Sequence, residues 1–324
     1  MMTLPDFQKK QIVFVLLSLG EKISFSNDNL VVRDKDNKIK LQTTCYRIFM
    51  LCIVGSFTIT TGLIQRSHKF CFPIYLLTGT MKVYDKLGSK MEGNVVLRRK
   101  QYAYSGFALA KMIVKNKTQN QLAVLQARRN KSSELSESIE KIKNQIDKLS
   151  NFSGELCDLL SIEGNVAKLY FKHEFDCVDW KGRKPRIKSD YVNSILDIGY
   201  SMLFNVIDSL LDLFGFDVYC GVLHKEFYMR KSLVCDLMEP FRPIIDTQIR
   251  KSINLKQFSE SDFNLRNGAY VLNWDFNKKY VSILLDAILK YKTEIFTFIQ
   301  SYYRNFMKGK SAEEFTCFSW RVAT

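Results

Sequence analysis

The sequence predicts an α+β protein of two parts: a small β-rich N-terminal segment and a larger helical remainder. Three observations carry that reading. Short apolar or alternating runs separated by turn signals fill the first 85 or so residues. Helical periodicity takes over from about Asn94, and Lys86-Leu87-Gly88-Ser89-Lys90 lies between as a natural linker. A chain of 324 residues with 46% hydrophobic content can bury a sizeable core, and its length favours two domains over one. The expected boundaries are 1–85, a linker at 86–93, and 94–324.

In order along the chain, strands are expected at Ile12–Leu17, Lys22–Phe25, Leu30–Val32, Lys38–Leu41, Ile48–Val54, Phe57–Thr61 and Cys71–Leu77. The uncharged run Ile48–Ile64 reads as two buried strands: it holds Gly55, Gly62 and several Thr and Ser, whereas a membrane span wants about 20 strongly apolar residues. Helices are expected at Asn94–Lys115, Asn120–Asn130 and Ser133–Leu149. Ser153–Phe171 follows, with an inward stripe of Leu156, Leu160, Glu163, Ala167 and Tyr170. Lys181–Lys188, five basic residues in eight with Gly and Pro, is a loop. Tyr191–Phe214 is a long core helix. Ser232–Glu239 ends or kinks at Pro240, because the residue before proline is biased away from α. A hairpin near Tyr270–Trp274 and a terminal helix Val281–Met307 complete the chain.

The charge is lopsided: 48 Lys and Arg against 33 Asp and Glu, for a net +15. That balance favours a polyanionic partner, nucleic acid before an anionic membrane. Arg98 to Lys131 contains nine basic residues and no acid, and its basic face is expected to contact phosphate. The eight cysteines form no C-x-x-C pair and read as reduced core residues of a cytosolic protein. Met1–Gly20 mixes acidic and basic residues ahead of its apolar part and does not read as a signal peptide.

Three acids and a histidine invite chemistry. Glu163 falls where an apolar residue is expected, so it must be neutralised, paired or bound to a cation. Asp236 and Glu239, at i and i+3, can reach one point on a helix surface, where like charges are relieved by a divalent cation. Pairing of Glu239 with Arg242 is the plainer alternative. His224 can complete a His-plus-carboxylate set of the kind that suits Mn²⁺ or Mg²⁺. His68 reads as a surface residue and His173 as a C-terminal helix cap.

Four blocks then carry a resemblance: E-G-N-V-A-K-L-Y-F from Glu163, D-Y-V-N from Asp190 leading into Gly199-Tyr200, G-V-L-H from Gly221, and D-L-M-E-P-F-R-P-I-I-D from Asp236. Together they resemble the CRISPR adaptation integrase family, the catalytic subunit that inserts new spacers into a CRISPR array. The first block is one residue longer between Gly164 and Ala167 than the family's short form. Relatives usually have an arginine and paired prolines before D-x-V-N; here the stretch before Asp190 reads K-P-R-I-K-S, which keeps the basic character but departs from that pattern.

The resemblance implies a β-sandwich-like N-terminal domain and an all-α catalytic domain. It implies an enzyme that joins a DNA 3′-hydroxyl to a phosphodiester of the repeat, with Glu163, His224 and Glu239 holding Mg²⁺ or Mn²⁺ and Asp236 as a supporting acid. His224 is left open between metal ligand and proton donor. Arg98, Arg99, Lys111, Lys115, Lys181, Arg183, Lys184, Arg186, Lys188 and Arg242 are the expected contacts to duplex DNA. The implied partners are protospacer and repeat DNA, a second copy of the chain, and a small ferredoxin-like subunit, in a prokaryotic cytoplasm and without a membrane. The alternative is a non-catalytic basic DNA-binding protein whose acids are structurally paired.

Overall fold

The computed structural model describes residues 2–89 and 93–320, so part of the expected linker lies outside the described residues. Contacts divide the chain into two units. One comprises the N-terminal residues through Asn94 with Asp212–Gly215; the other comprises Val95–Leu211 and the residues from Phe216 onward.

The first unit opens with α1 (Leu4–Gln8), capped reciprocally by Thr3 and Asp6. Then follow β1 (Gln11–Leu17), β2 (Lys22–Ser26), β3 (Asn29–Arg33), β4 (Ile39–Thr44), β5 (Ile48–Gly55), α2 (Thr61–Phe70), β6 (Pro73–Leu77) and β7 (Val83–Gly88). Two sheets result, of order β1-β5-β6-β7 and β2-β3-β4. Residues of both, such as Val13, Leu51 and Ile74 with Leu30 and Val32, share one core.

The pairs β1/β5 and β5/β6 are parallel. Parallel neighbours need a crossover, and α2 supplies it between β5 and β6. This corrects the expected strand at Phe57–Thr61: those residues lead into the crossover helix, so Ile48–Ile64 holds one strand and not two. β5 is buried on both faces, which explains its unbroken apolar composition.

The second unit is helical. Its elements are α3 (Val95–Ala103), α4 (Ala108–Gln126), α5 (Ser133–Ser150), α6 (Leu156–Glu174), α7 (Tyr191–Phe214, of which the residues from Asp212 on count with the first unit), α8 (Ser232–Met238), a 3-10 turn at Glu239–Phe241, and α9 (Arg242–Asn254). The hairpin β8 (Phe263–Arg266) and β9 (Ala269–Leu272) and the helices α10 (Trp274–Lys290) and α11 (Lys292–Lys308) follow. Asn267 and Gly268 both adopt positive φ, the geometry of a tight two-residue hairpin. The expected single terminal helix is broken at Tyr291.

Leu125 of α4, Ile139 and Ile142 of α5, and Val166 and Tyr170 of α6 form a shared core. The inward face of α6 is therefore Leu159, Val166, Tyr170 and His173. Of the expected stripe only Tyr170 is fully buried; Leu160 is exposed and Glu163 sits at the margin. His173 is buried and hydrogen-bonds Ser138 Oγ at 2.9 Å, so it is a core residue and not a cap. Helix α7 is long and apolar enough to cross a bilayer, but 83% of that stretch is buried, as in a core helix. Four cysteines (71, 157, 177 and 317) are exposed and only Cys45 and Cys52 are fully buried, which corrects the core assignment; all eight are free thiols.

Candidate active site

The fourth sequence block folds as α8, the 3-10 turn and the start of α9. Pro240 falls in the turn, where no helical amide is needed, so α8 stops at Met238 and the chain redirects. Asp236 and Glu239 consequently serve different partners, although their spacing suggests convergence.

Asp236 is fully buried. Its Oδ2 accepts the main-chain amides of Val222 (2.6 Å) and Leu223 (3.0 Å). Its Oδ1 accepts the amide of His224 (3.1 Å) and the imidazole Nδ1 (2.6 Å). One carboxylate thus folds the G-V-L-H segment around itself. Gly221 permits that closeness, since a Cβ there would lie 2.6 Å from Ser232 Cβ and 2.8 Å from Asp236 Oδ2. A carboxylate can only accept, so Nδ1 carries the proton and the neutral ring keeps the lone pair on Nε2.

Glu239 is buried in the turn. Its Oε2 lies 2.7 Å from Lys117 Nζ and 2.8 Å from Arg242 Nε. Burial alone would raise its pKa, but Arg242 and Lys117 outweigh that and hold it down at about 2. Glu163, from α6, places Oε1 2.5 Å from the same Lys117 Nζ. The ammonium of Lys117 therefore bridges two glutamates 76 residues apart in sequence. Burial opposes the charge on Lys117, yet Glu239 and Glu163 more than offset it and raise its pKa.

Lys117 was not legible as a site residue. A signal lies in burial: Asn116, Lys117, Asn120 and Gln121 form a polar stripe along α4, and all four are buried. Asn120 donates to the Pro240 carbonyl (3.0 Å) and accepts the Trp320 amide (2.9 Å). Asn116 exchanges hydrogen bonds with the main chain of Phe318. The stripe thus anchors the acidic turn.

Arg242 continues the network. Its guanidinium lies 4.4 Å from the centre of the Tyr200 ring. Tyr200 and Tyr170 both donate to the buried Asp246, at 2.5 and 3.1 Å. Burial raises the Asp246 carboxyl to about 6 despite these bonds. Gly199 lets α7 and α9 pack closely, a Cβ there being 2.5 Å from Ile245 Cγ2.

The second block is structural in a different way. Asp190 accepts the Asn193 amide at 2.7 Å, capping α7. The Asn193 side chain accepts from the Lys184 amide (2.8 Å) and donates to the Gly182 carbonyl (3.1 Å), fastening the basic loop. Lys181, Lys184 and Arg186 of that loop are exposed, and Lys188 is half-buried. Arg183 turns inward to Asp197 at 2.6 Å.

The expected phosphate-contacting run 98–131 divides between residues engaged within the fold and residues at its surface. Lys117 bridges the glutamates, Arg128 pairs with Asp176 and Glu174, and Lys111 donates to the carbonyls of Ser150 (3.2 Å) and Phe152 (3.3 Å). Lys100 donates to the Met307 carbonyl and Lys131 to that of Arg128. Arg99 is exposed, and Arg98 and Lys115 are half-buried.

Among the described residues, no three His, Cys, Asp or Glu side chains are grouped to hold a metal ion. The expected set of Glu163, His224 and Glu239 is therefore not closed in this conformation. What the structure brings together is Glu163 and Glu239 over one cationic centre, and separately His224 on Asp236. The donors still fit a hard divalent cation: two carboxylates already share one positive atom, and the His224 imidazole is held from behind by its Nδ1 bond to Asp236.

The family model for CRISPR associated protein Cas1 matches residues 14–284. The chain belongs to the Cas1 family. Among curated Cas1 relatives, a CRISPR-associated endonuclease Cas1 of Archaeoglobus fulgidus is 28% identical over 306 residues, covering 85% of this chain and 87% of its own. One from Leptospira interrogans is 33% identical over 190 residues, covering 53% of this chain and 73% of its own. In fold the chain is similar to a casposase bound to integration product (TM-score 0.77, 19% identity, 96% of both chains). It is likewise similar to a Cas1 protein from Thermotoga maritima (TM-score 0.76, 17% identity, 96% of this chain and all of that one). A chain of a Cas6-RT-Cas1–Cas2 complex aligns at TM-score 0.81 and 19% identity over 97% of this chain; the present chain spans 36% of that longer one. The β-rich front and helical rear are thus the Cas1 arrangement.

Proposed function

We propose that this Cas1 protein is a divalent-metal-dependent DNA integrase and endonuclease of CRISPR adaptation, which joins the 3′-hydroxyl of incoming DNA to a phosphodiester of the repeat. One observation carries the reading: Glu163 and Glu239 meet over a single cationic centre, in the same helical unit as an imidazole oriented by Asp236. Mg²⁺ or Mn²⁺ bound by Glu163, Glu239 and His224 would polarise the phosphodiester and stabilise charge on the attacking and leaving oxygens.

The protein's own groups are prepared for that role. Glu239 is ionised far below neutral pH, so no proton need leave before it binds a cation. Asp236 fixes Nδ1–H of His224, which leaves an Nε2 lone pair suited to ligation and makes proton donation from the neutral ring unavailable there. Arg242, held between Glu239 and the Tyr200 ring, keeps a fixed positive charge beside the acids. Lys181, Lys184 and Arg186 on the loop fastened by Asn193 grip backbone phosphates of duplex DNA without reading bases.

The partners proposed are protospacer and repeat DNA, a second copy of the chain, and a small ferredoxin-like subunit. Neighbours in fold that come from Cas1–Cas2 complexes, and a casposase bound to integration product, support this assembly. The test is disintegration of branched DNA with Mn²⁺: Glu163→Ala and His224→Ala should each abolish strand transfer, and retained activity in both would remove the site. The competing reading, a non-catalytic binder, draws on the pairing of the acids with Lys117 and Arg242. It expects no strand transfer and DNA binding indifferent to EDTA.

A further inference from the structure

Resting on that reading of the site, we propose that Lys117 is its built-in counter-ion. The ammonium holds Glu163 and Glu239 together before a metal ion arrives, and loading of the metal requires Lys117 to release Glu163.

The geometry is specific. Lys117 lies within α4, on a buried stripe whose neighbours Asn116 and Asn120 are committed to main-chain atoms of Phe318, Trp320 and Pro240. Its Nζ lies 2.5 Å from Glu163 Oε1 and 2.7 Å from Glu239 Oε2. That is the position a cation bridging the two carboxylates must take. An ammonium and a divalent ion cannot share one such cradle, because like charges at contact distance in a partly buried site repel strongly.

The two links are not equivalent. Glu239 has a second cation in Arg242 at 2.8 Å, and its side chain is 3% exposed. Glu163 has Lys117 as its ion partner among the described residues, and its side chain is 17% exposed. The adjoining Gly164 is exposed, and a Cβ there would meet nothing within 4 Å. Glu163 is thus the more accessible of the two acids, and Arg242 keeps Glu239 compensated while Lys117 moves. Lys117 is accordingly a positioning residue that sets the affinity for metal and protects the empty acids from mutual repulsion.

The test uses the full-length protein and measures Mn²⁺ binding directly, by calorimetry or by the free-Mn²⁺ electron paramagnetic resonance signal, alongside melting in EDTA. Lys117→Met should melt lower than wild type in EDTA, should bind Mn²⁺ about tenfold or more tightly, and should gain more melting temperature from Mn²⁺. Unchanged or weaker Mn²⁺ binding in a folded Lys117→Met protein would overturn the proposal. In the wild type, reductive methylation of Lys117 read by mass spectrometry should be slow in EDTA and faster with Mg²⁺. Equal protection in both conditions would also overturn it, even if the variant does not fold. Glu163→Gln separates the two levels. If it leaves Mn²⁺ affinity unchanged, the metal site itself is wrong; if it abolishes binding while Lys117→Met has no tightening effect, only the counter-ion role fails.

Discussion

Asp236 and His224 are joined twice, Oδ1 of the aspartate accepting both the main-chain amide (3.1 Å) and the Nδ1–H (2.6 Å) of the histidine. Replacing Asp236 by Asn keeps the shape but sets an amide donor against a surface of N–H groups. The cost is about 1–3 kcal/mol for the unsatisfied donors, and the fixed tautomer is lost. The expected outcome is a lower melting temperature together with a mixed Nδ1–H/Nε2–H population of His224 in ¹⁵N-histidine spectra. A single unchanged tautomer would show that Asp236 does not orient the ring.

Gly221 predicts a steric result. A methyl group placed there meets Ser232 and Asp236 at 2.6 and 2.8 Å. Gly221→Ala should cost about 1–3 kcal/mol in chemical denaturation, the range of over-packing, and should reduce strand transfer through displacement of His224. Wild-type stability would mean that the loop has slack the geometry denies.

The basic loop separates into two kinds of residue. Arg183 is held by Asp197 and Asn193, whereas Lys184 and Arg186 are exposed. Lys184→Ala with Arg186→Ala should leave melting unchanged, weaken duplex binding, and flatten the log Kd against log salt slope by about 2. Arg183→Ala should lower the melting temperature instead. Reversal of the two patterns in a salt series would contradict the assignment.

Buried acids predict opposite responses to pH. Burial lifts Glu174 to about 8 and Asp246 to about 6, outweighing Arg128 and the two tyrosines. The folded state then binds more protons than the unfolded one between the ordinary carboxylate range and those values. Stability should fall as pH rises through that window and level off above it. Glu239, held down at about 2, works the other way: its contribution is present above the ordinary carboxylate range and is lost as pH falls toward 2. Glu174→Gln should flatten the decline in melting temperature between about pH 5 and 8, and Glu239→Gln should flatten the acid limb. An unaltered profile in either variant would reject the corresponding shift.

Much of the fold was legible because its signals are local. Alternation and turn residues mark β1 to β4, and Pro240 marks the end of α8 within a residue. What escaped depended on pairing at a distance. Phe57–Thr61 alternates, but β5 and β6 are parallel and the chain between them must cross over. Glu163, His224, Asp236 and Glu239 were visible as misplaced polar residues and through the family blocks. Their division of labour was not, because an i, i+3 spacing says nothing about which side a chain turns after a proline. Lys117 hid inside a basic run whose members look alike in sequence, though Lys111, Lys117 and Arg128 are internal while Arg99 is exposed.

The clasp formed by Asn116 and Asn120 on Phe318 and Trp320 has a consequence for biosynthesis. Asn120 grips the Pro240 carbonyl, the Phe318 carbonyl and the Trp320 amide with one side chain, so the turn bearing Glu239 is fully braced only once residues 318–320 have been made and have docked. A copy that stops short of Phe318 would therefore carry its acids without the brace that sets them.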